Sequence, residues 1–118
     1  MTKTMKIGIM SYEDYKKRTI AIAKGEYKPA KGEPKIWFDS IESMAQVLSS
    51  KNRELLKIIR ESNPKSLAEL SSVSGRQVSN LSRTLRNMEK YGIVKLSQEK
   101  RSVIPQPQAS DFQVAFGY

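Results

Sequence analysis

Hydrophobic residues recur at helical spacing through the middle of the chain. Apolar side chains three or four positions apart predict helices over residues 40–48, 51–62, 67–73 and 76–91. Ser66 and Glu69 have the spacing of a capping box, which predicts that the third of these helices begins there. The fourth helix would bury one side and leave the other in solvent. Its predicted buried stripe consists of Val78, Leu81, Leu85 and Met88.

The first part of the chain has a different pattern. Residues 5–9 are compatible with a short strand or with a frayed terminus. Ser11 can cap a helix that Gly25 ends, and the proline-containing residues 26–34 predict a linker. One side of that helix carries mostly aromatic and apolar residues, and we assign this side to a contact with a second copy or with another protein. These residues are Tyr12, Tyr15, Thr19 and Ile22.

Alternating residues follow the last helix and complete the predicted fold. Residues 93–96 and 101–104 predict a β-hairpin, and the prolines that come next argue against a long central strand. A later alternation predicts an edge strand or a second dimer contact, formed by Phe112, Val114 and Phe116. The expected fold is mainly α with a small β-hairpin, a winged helix-turn-helix with an N-terminal helical arm. We divide it into an arm and linker, residues 1–34, and a main domain, residues 35–118.

Composition then excludes several kinds of chemistry. The 118 residues include no histidine and no cysteine, which excludes disulfides, Cys–His nucleophiles and zinc sites built from thiolates and imidazoles. The sequence contains no phosphate-binding loop, dinucleotide fingerprint or paired-carboxylate motif. We therefore expect neither an enzyme nor a cofactor. Because no apolar run of 18 residues and no signal peptide occur, we expect a cytoplasmic protein without membrane contact.

Positive charge is concentrated in the helical segment. The net charge of the chain is +9, and residues 50–105 carry 12 basic against 5 acidic side chains, a net of +7. A basic excess of this size favours a polyanionic partner, and double-stranded DNA is the partner that the helical pattern favours.

The exposed side of the helix predicted over residues 76–91 carries side chains that can read DNA. Arginine pairs with guanine in the major groove, and asparagine or glutamine pairs with adenine. Hydroxyls and further arginines can contact phosphates, and the hairpin tip can reach the backbone or a minor groove. The predicted DNA-binding residues are Ser66, Arg76, Gln77, Ser79, Asn80, Ser82, Arg83, Thr84, Arg86, Asn87, Lys100 and Arg101. A solvated helix would carry the same residues, with Arg86 placed to pair with Glu89.

Two stretches carry a family resemblance: residues 37–42, WFDSIE, and residues 66–94, SLAELSSVSGRQVSNLSRTLRNMEKYGIV. They resemble the small prokaryotic and archaeal winged helix-turn-helix transcriptional regulators of the MarR/ArsR-like class. The resemblance implies that the chain binds double-stranded DNA sequence-specifically as a homodimer. It would then act as a repressor at a palindromic operator. Arg76 stands where the commoner pattern has an apolar residue, which leaves the start of the last helix open by one or two residues. Metal-sensing relatives need cysteine or histidine clusters that this chain lacks.

Some regulators of this kind look like antitoxins, which gives a second hypothesis. The arm would then bind and neutralise a protein toxin, and DNA binding would regulate the operon that encodes both. Deleting residues 1–30 would separate the two hypotheses, since loss of dimerisation supports the first and loss of a co-purifying partner with the dimer intact supports the second. RNA binding is a weaker third hypothesis, because the sequence shows no aromatic platform for single strands.

Overall fold

The computed structural model describes residues 3–116, and within that range the chain forms five helices and five strands. In chain order they are β1 (Thr4–Ile9), α1 (Tyr12–Ala23), β2 (Ile36–Phe38), α2 (Ile41–Val47), α3 (Ser50–Ser62), α4 (Leu67–Ser74), α5 (Val78–Lys90), β3 (Val94–Glu99), β4 (Ser102–Pro107) and β5 (Asp111–Ala115). The fold is mixed α/β. The expectation of a mainly α fold with a helical arm is therefore wrong.

A parallel sheet accounts for the difference. Its strand order is β2-β1-β5, so the N-terminal strand lies at the centre, and Ile7 pairs with Ile36 on one side and with Val114 on the other. Parallel neighbours need long crossover connections, so no local turn sequence announces their pairing. Residues 5–9 thus belong to a strand, and β5 is an edge strand. The sheet also joins residues on both sides of position 34, while the division of the chain there stays a prediction.

One hydrophobic core lies between this sheet and the helices. Phe38 is buried, and its ring stacks on Tyr91, just beyond the end of α5, with 4.2 Å between ring centroids. The cluster takes residues from the sheet, from α2 to α5 and from the hairpin: Ile7, Ile36, Phe38, Val47, Leu55, Leu56, Ile59, Leu70, Leu81, Leu85, Met88, Ile93 and Val94. The parallel sheet and the helices therefore share their apolar contacts.

Short-range hydrogen bonds set the helix starts. Four serine hydroxyls each accept a backbone N–H from the first turn of the helix that follows, as the sequence predicts for helix caps. They belong to Ser11, Ser40, Ser49 and Ser66. Asn63 and Gly75 adopt left-handed backbone conformations, with φ of 46° and 75°, and end α3 and α4.

The start of α5 differs from the prediction by two residues. Gln77 has extended backbone angles, so the helix begins at Val78 and not at Arg76. Two hydrogen bonds hold the turn before it: the Ser71 hydroxyl donates to the Arg76 carbonyl over 2.6 Å, and the Arg76 N–H donates to the Ser74 hydroxyl over 3.2 Å. Val78 is consequently 44% exposed, and its place in the predicted buried stripe is wrong.

The hairpin is longer than the alternation predicts. Glu99 pairs with Ser102, which leaves Lys100 and Arg101 alone in the turn. Pro105 pairs with Leu96 inside β4, where the two-stranded sheet has only edge strands and tolerates the missing N–H.

None of the helices in residues 3–116 has the length and apolar character needed to cross a bilayer.

Candidate nucleic-acid interface

Helix α5 has one buried side and one exposed side. Leu81, Leu85 and Met88 are fully buried in the core. The opposite side borders a groove of about 730 Å³ between α5 and the C-terminal end of α2. We call this side the α5 face, and it comprises Ser79, Ser82, Arg83, Arg86, Asn87 and Lys90. Five of these six residues are among the predicted DNA contacts. Lys90 was missed, although its position one turn after Arg86 could have revealed it.

The cations of the α5 face have no acidic partner in residues 3–116, where the ion pair within 4.0 Å joins Arg18 to Glu33. Glu89, the expected partner of Arg86, accepts a hydrogen bond from the Leu96 N–H over 3.1 Å. This contact turns the carboxylate toward the hairpin. The α5 face therefore presents positive charge that no neighbouring carboxylate neutralises.

Arg76 has a different environment from the α5 face. Its guanidinium donates three hydrogen bonds: from Nε to Asn80 Oδ1 over 2.8 Å, from Nη1 to Asn52 Oδ1 over 3.1 Å and from Nη2 to Thr84 Oγ1 over 3.1 Å. Asn52 in turn donates through Nδ2 to the carbonyl of Val47, over 3.0 Å. These contacts link the end of α2 to α3 and α5, and we call Arg76, Asn52, Asn80 and Thr84 the Arg76 network.

The Arg76 network changes what three predicted residues can do. Arg76 is half-buried and holds Asn80 and Thr84, so each of the three side chains is already occupied by a neighbour. Arg76 is thus placed to position α5, and its direct contact with a base stays a prediction. Asn52 was missed by sequence reasoning, because it lies 24 residues before its partner and no periodicity connects the two.

The remaining predicted DNA contacts lie in three places. The Ser66 hydroxyl accepts the Glu69 N–H over 3.0 Å and caps α4. Gln77 is exposed at the start of α5, where its side chain makes no capping bond. Lys100 and Arg101 are exposed at the hairpin tip.

The predicted dimer or partner contacts form two separate surfaces. Helix α1 has no buried residue, Tyr12 is 71% exposed and Tyr15 is 41% exposed. The Arg18 guanidinium lies over the Trp37 ring, 5.0 Å from its centroid, which places α1 over the sheet face opposite the core. Thr19 is exposed and Ile22 is half-buried.

The second of these surfaces belongs to β5 and the residue after it. Phe112 is half-buried and packs against the core, whereas Val114 and Phe116 are 41% and 63% exposed. The structure therefore separates the two predicted contact regions by the thickness of the sheet.

The acidic residues do not form a metal site in the part of the chain described. No group of three or more such side chains in residues 3–116 is placed to hold an ion.

Comparison with known proteins gives one family. No curated protein and no solved structure matches the chain. The sequence model of the HVO_A0114 family matches residues 47–114, more than half of the chain. The matched range runs from the end of α2 through most of β5 and includes every residue of the α5 face and of the Arg76 network. The chain therefore belongs to the HVO_A0114 family.

Proposed function

We propose that this protein binds double-stranded DNA through the α5 face and the hairpin tip, as a homodimeric regulator of transcription in the cytoplasm. The observation that carries the proposal is the uncompensated charge of the α5 face, on a helix whose other side is fixed in the core. A helix of 13 residues is about 20 Å long, and a major groove about 12 Å wide admits it.

The other parts of the interface have supporting roles in this proposal. Arg83, Arg86 and Lys90 neutralise phosphates or contact guanine. Ser79 and Asn87 donate hydrogen bonds to neighbouring groups of the DNA. Lys100 and Arg101 extend the contact to the adjoining backbone. Arg76 acts through Asn80 and Thr84, whose orientation it sets.

A salt titration with charge-matched variants tests the proposal. Binding to a duplex of mixed sequence is measured by fluorescence anisotropy between 50 and 200 mM NaCl. We expect R83Q/R86Q to weaken binding at least tenfold at 100 mM and to reduce the slope of log affinity against log salt by about 1.8, since each phosphate contact contributes about 0.9.

The matched control is K16Q/K17Q, which removes the same charge from exposed positions on α1. We expect this control to change the affinity less than twofold. Equal losses of DNA affinity in the two double variants would show that only the net charge matters, and would contradict a specific role of the α5 face.

Homodimerisation makes a separate prediction about the DNA. Two copies of α5 that enter successive major grooves lie about 34 Å apart, so the preferred site is a palindrome with half-sites one turn apart. Selection from a random pool followed by sequencing measures this spacing. Selected sites without a repeated half-site would contradict the dimeric arrangement.

Exposure of α1 favours the antitoxin as the second candidate function. A helix with no buried residue and with exposed Tyr12, Tyr15 and Ile20 gains stability by covering these residues with a partner. Deletion of residues 1–30 does not test this, because it also removes the central strand β1. The Y12S/Y15S variant changes the exposed side of α1 and leaves the sheet intact.

Co-expression with the product of the neighbouring gene tests the antitoxin. We expect the wild-type chain to relieve growth arrest by that product and Y12S/Y15S to fail. Light scattering of the purified variant separates the two roles of α1. If the variant is monomeric, the tyrosines belong to the homodimer contact. If it is a dimer that no longer relieves the growth arrest, the tyrosines belong to the contact with the toxin.

A further inference from the structure

A second groove shares no lining residue with the groove that the α5 face borders. It has a volume of about 820 Å³ and runs between α2, α3 and the start of β5. Its volume is within the range of about 300–1,000 Å³ that is usual for sites that enclose a small molecule. The DNA contacts proposed above do not line it.

The floor of this groove is apolar. Met44 comes from α2, Leu48 is the residue that ends α2, Leu56 comes from α3, and Phe112 and Val114 come from β5. Leu56 is buried, Met44, Leu48 and Phe112 are half-buried, and Val114 is 41% exposed. The edge strand β5 thus contributes apolar side chains to the floor of the groove.

The rim of the groove is basic on the side of α3. Arg53, Lys57 and Arg60 follow one another at helical spacing along that rim, and none of them is in the ion pair found in residues 3–116. Arg53 is held in place, because it donates to the Leu48 carbonyl over 3.1 Å and to the Ser50 hydroxyl over 3.2 Å.

One carboxylate faces these three cations. Asp111 lines the groove from β5, and the Ser110 hydroxyl donates a hydrogen bond to it over 2.9 Å. The rim therefore carries a net positive charge beside an apolar floor. That combination is complementary to a molecule with an apolar body and an anionic end.

We infer that this groove binds a small amphiphilic carboxylate, with its hydrocarbon part against Leu56, Phe112 and Val114 and its carboxylate between Lys57 and Arg60. A carboxylate at that position gains two cationic partners. An ammonium of the same length is repelled by these two cations, and an alcohol carries no charge for them to attract. The inference is independent of DNA binding, since none of these residues belongs to the α5 face.

Titration with sodium octanoate, below its micelle concentration, tests the site by NMR. We expect saturable shifts at the backbone amides of Leu56, Phe112 and Val114, and affinities at least tenfold lower for octylamine and for 1-octanol. K57Q/R60Q is expected to weaken octanoate binding at least tenfold. Val114→Ser, which removes apolar contact without changing charge, is expected to weaken it severalfold.

The matched control is K51Q/K65Q, which removes two charges from positions outside the groove. It is expected to bind octanoate within twofold of the wild-type chain, and circular dichroism checks that each variant is folded. Three results would overturn the inference: equal binding of octylamine and octanoate, wild-type affinity in K57Q/R60Q, or shifts that do not saturate. Shifts of the groove amides that follow protein concentration without octanoate would assign the groove to a second copy of the chain instead.

Discussion

At the scale of single residues, the role of a side chain depends on neighbours that the sequence does not place beside it. Arg76 follows the turn glycine, and its position at the start of the predicted helix favours a DNA contact over a solvated side chain. In the folded chain its three donors reach Asn52, Asn80 and Thr84. The three donors lie on three nitrogens of one planar group, and the single ammonium nitrogen of lysine cannot reproduce that spread.

Replacing Arg76 with alanine should therefore reduce stability as well as DNA binding. Loss of three hydrogen bonds from a half-buried guanidinium is expected to lower the free energy of unfolding by about 1–3 kcal/mol. Urea denaturation measures this change. Arg83→Ala, on the exposed α5 face, is the control and should change the free energy of unfolding by less than about 0.5 kcal/mol. If the Arg76 variant were as stable as the wild-type chain, the network would have no structural role.

A second residue-scale prediction concerns pH. Tyr27 donates a hydrogen bond to Glu33, and this bond, with those from Arg18 and the Ala30 N–H, holds the pKa of the Glu33 carboxyl below its ordinary value. The same bond to Glu33 raises the pKa of Tyr27. A lowered carboxyl pKa means that these contacts stabilise the segment 26–34 at neutral pH and are lost as the pH falls through the Glu33 pKa of the folded chain.

Titration of the Glu33 side-chain carbon by NMR measures that pKa. We expect a value below that of an unperturbed glutamate in the wild-type chain and a higher value in Tyr27→Phe, which lacks the hydroxyl. Identical titration curves in the two proteins would show that the tyrosine does not set the carboxyl pKa.

At the scale of elements, the sequence predicts a helix boundary well where contacts between neighbouring residues set it, and less well where contacts between more distant residues do. The caps at Ser49 and Ser66 act within one turn, so their helices are found close to their observed starts. The start of α5 was missed because Ser71 and Ser74 hold Arg76 in the turn. Val78 is exposed as a result of that contact, and no periodicity in the sequence indicates it.

Substitutions at the hairpin tip can separate the effect of backbone conformation on stability from the effect of charge on DNA binding. Lys100 has a φ of 55° in a two-residue turn, a backbone conformation that favours glycine. Lys100→Gly should therefore raise the free energy of unfolding by about 0.5–1 kcal/mol and at the same time weaken DNA binding, because a cation is lost from the tip. Thermal denaturation and anisotropy measure the two effects.

Arg101→Gly is the control for this separation. It removes the same charge at a position without positive φ, so it should weaken DNA binding without the gain in stability. Wild-type DNA affinity in both variants would exclude the tip from the interface.

At the scale of the whole molecule, the parallel sheet is the feature that sequence reasoning could not assemble. β1, β2 and β5 are short and lie far apart in the chain, and each one alone is compatible with a terminus, an anchor or an edge. They form a sheet only through pairing between distant residues, such as that of Ile7 with Ile36 and Val114. The side chains of the α5 face could be predicted in advance, because they lie on one helix and follow its period. The Arg76 network and the second groove could not be predicted, since each joins elements distant in sequence.

The shared core makes a prediction about cooperativity. Ile7 is fully buried in the same cluster as Leu55 and Leu85, so the N-terminal strand and the helices should unfold together. Fluorescence of the single tryptophan, Trp37, reports on the sheet, and far-ultraviolet circular dichroism reports on the helices. The two signals should give one denaturation midpoint.

Ile7→Ala should lower that common midpoint, with a loss of about 2–5 kcal/mol in the free energy of unfolding, because it leaves a cavity in the core. Ile20→Ala, at a 45% exposed position of α1, is the control and should change the free energy by less than about 0.5 kcal/mol. An independent arm would behave differently: Ile7→Ala would shift the fluorescence transition and leave the circular dichroism transition in place. Coincident shifts would mean that the parallel sheet, which α1 covers, and the α5 face belong to one cooperative unit.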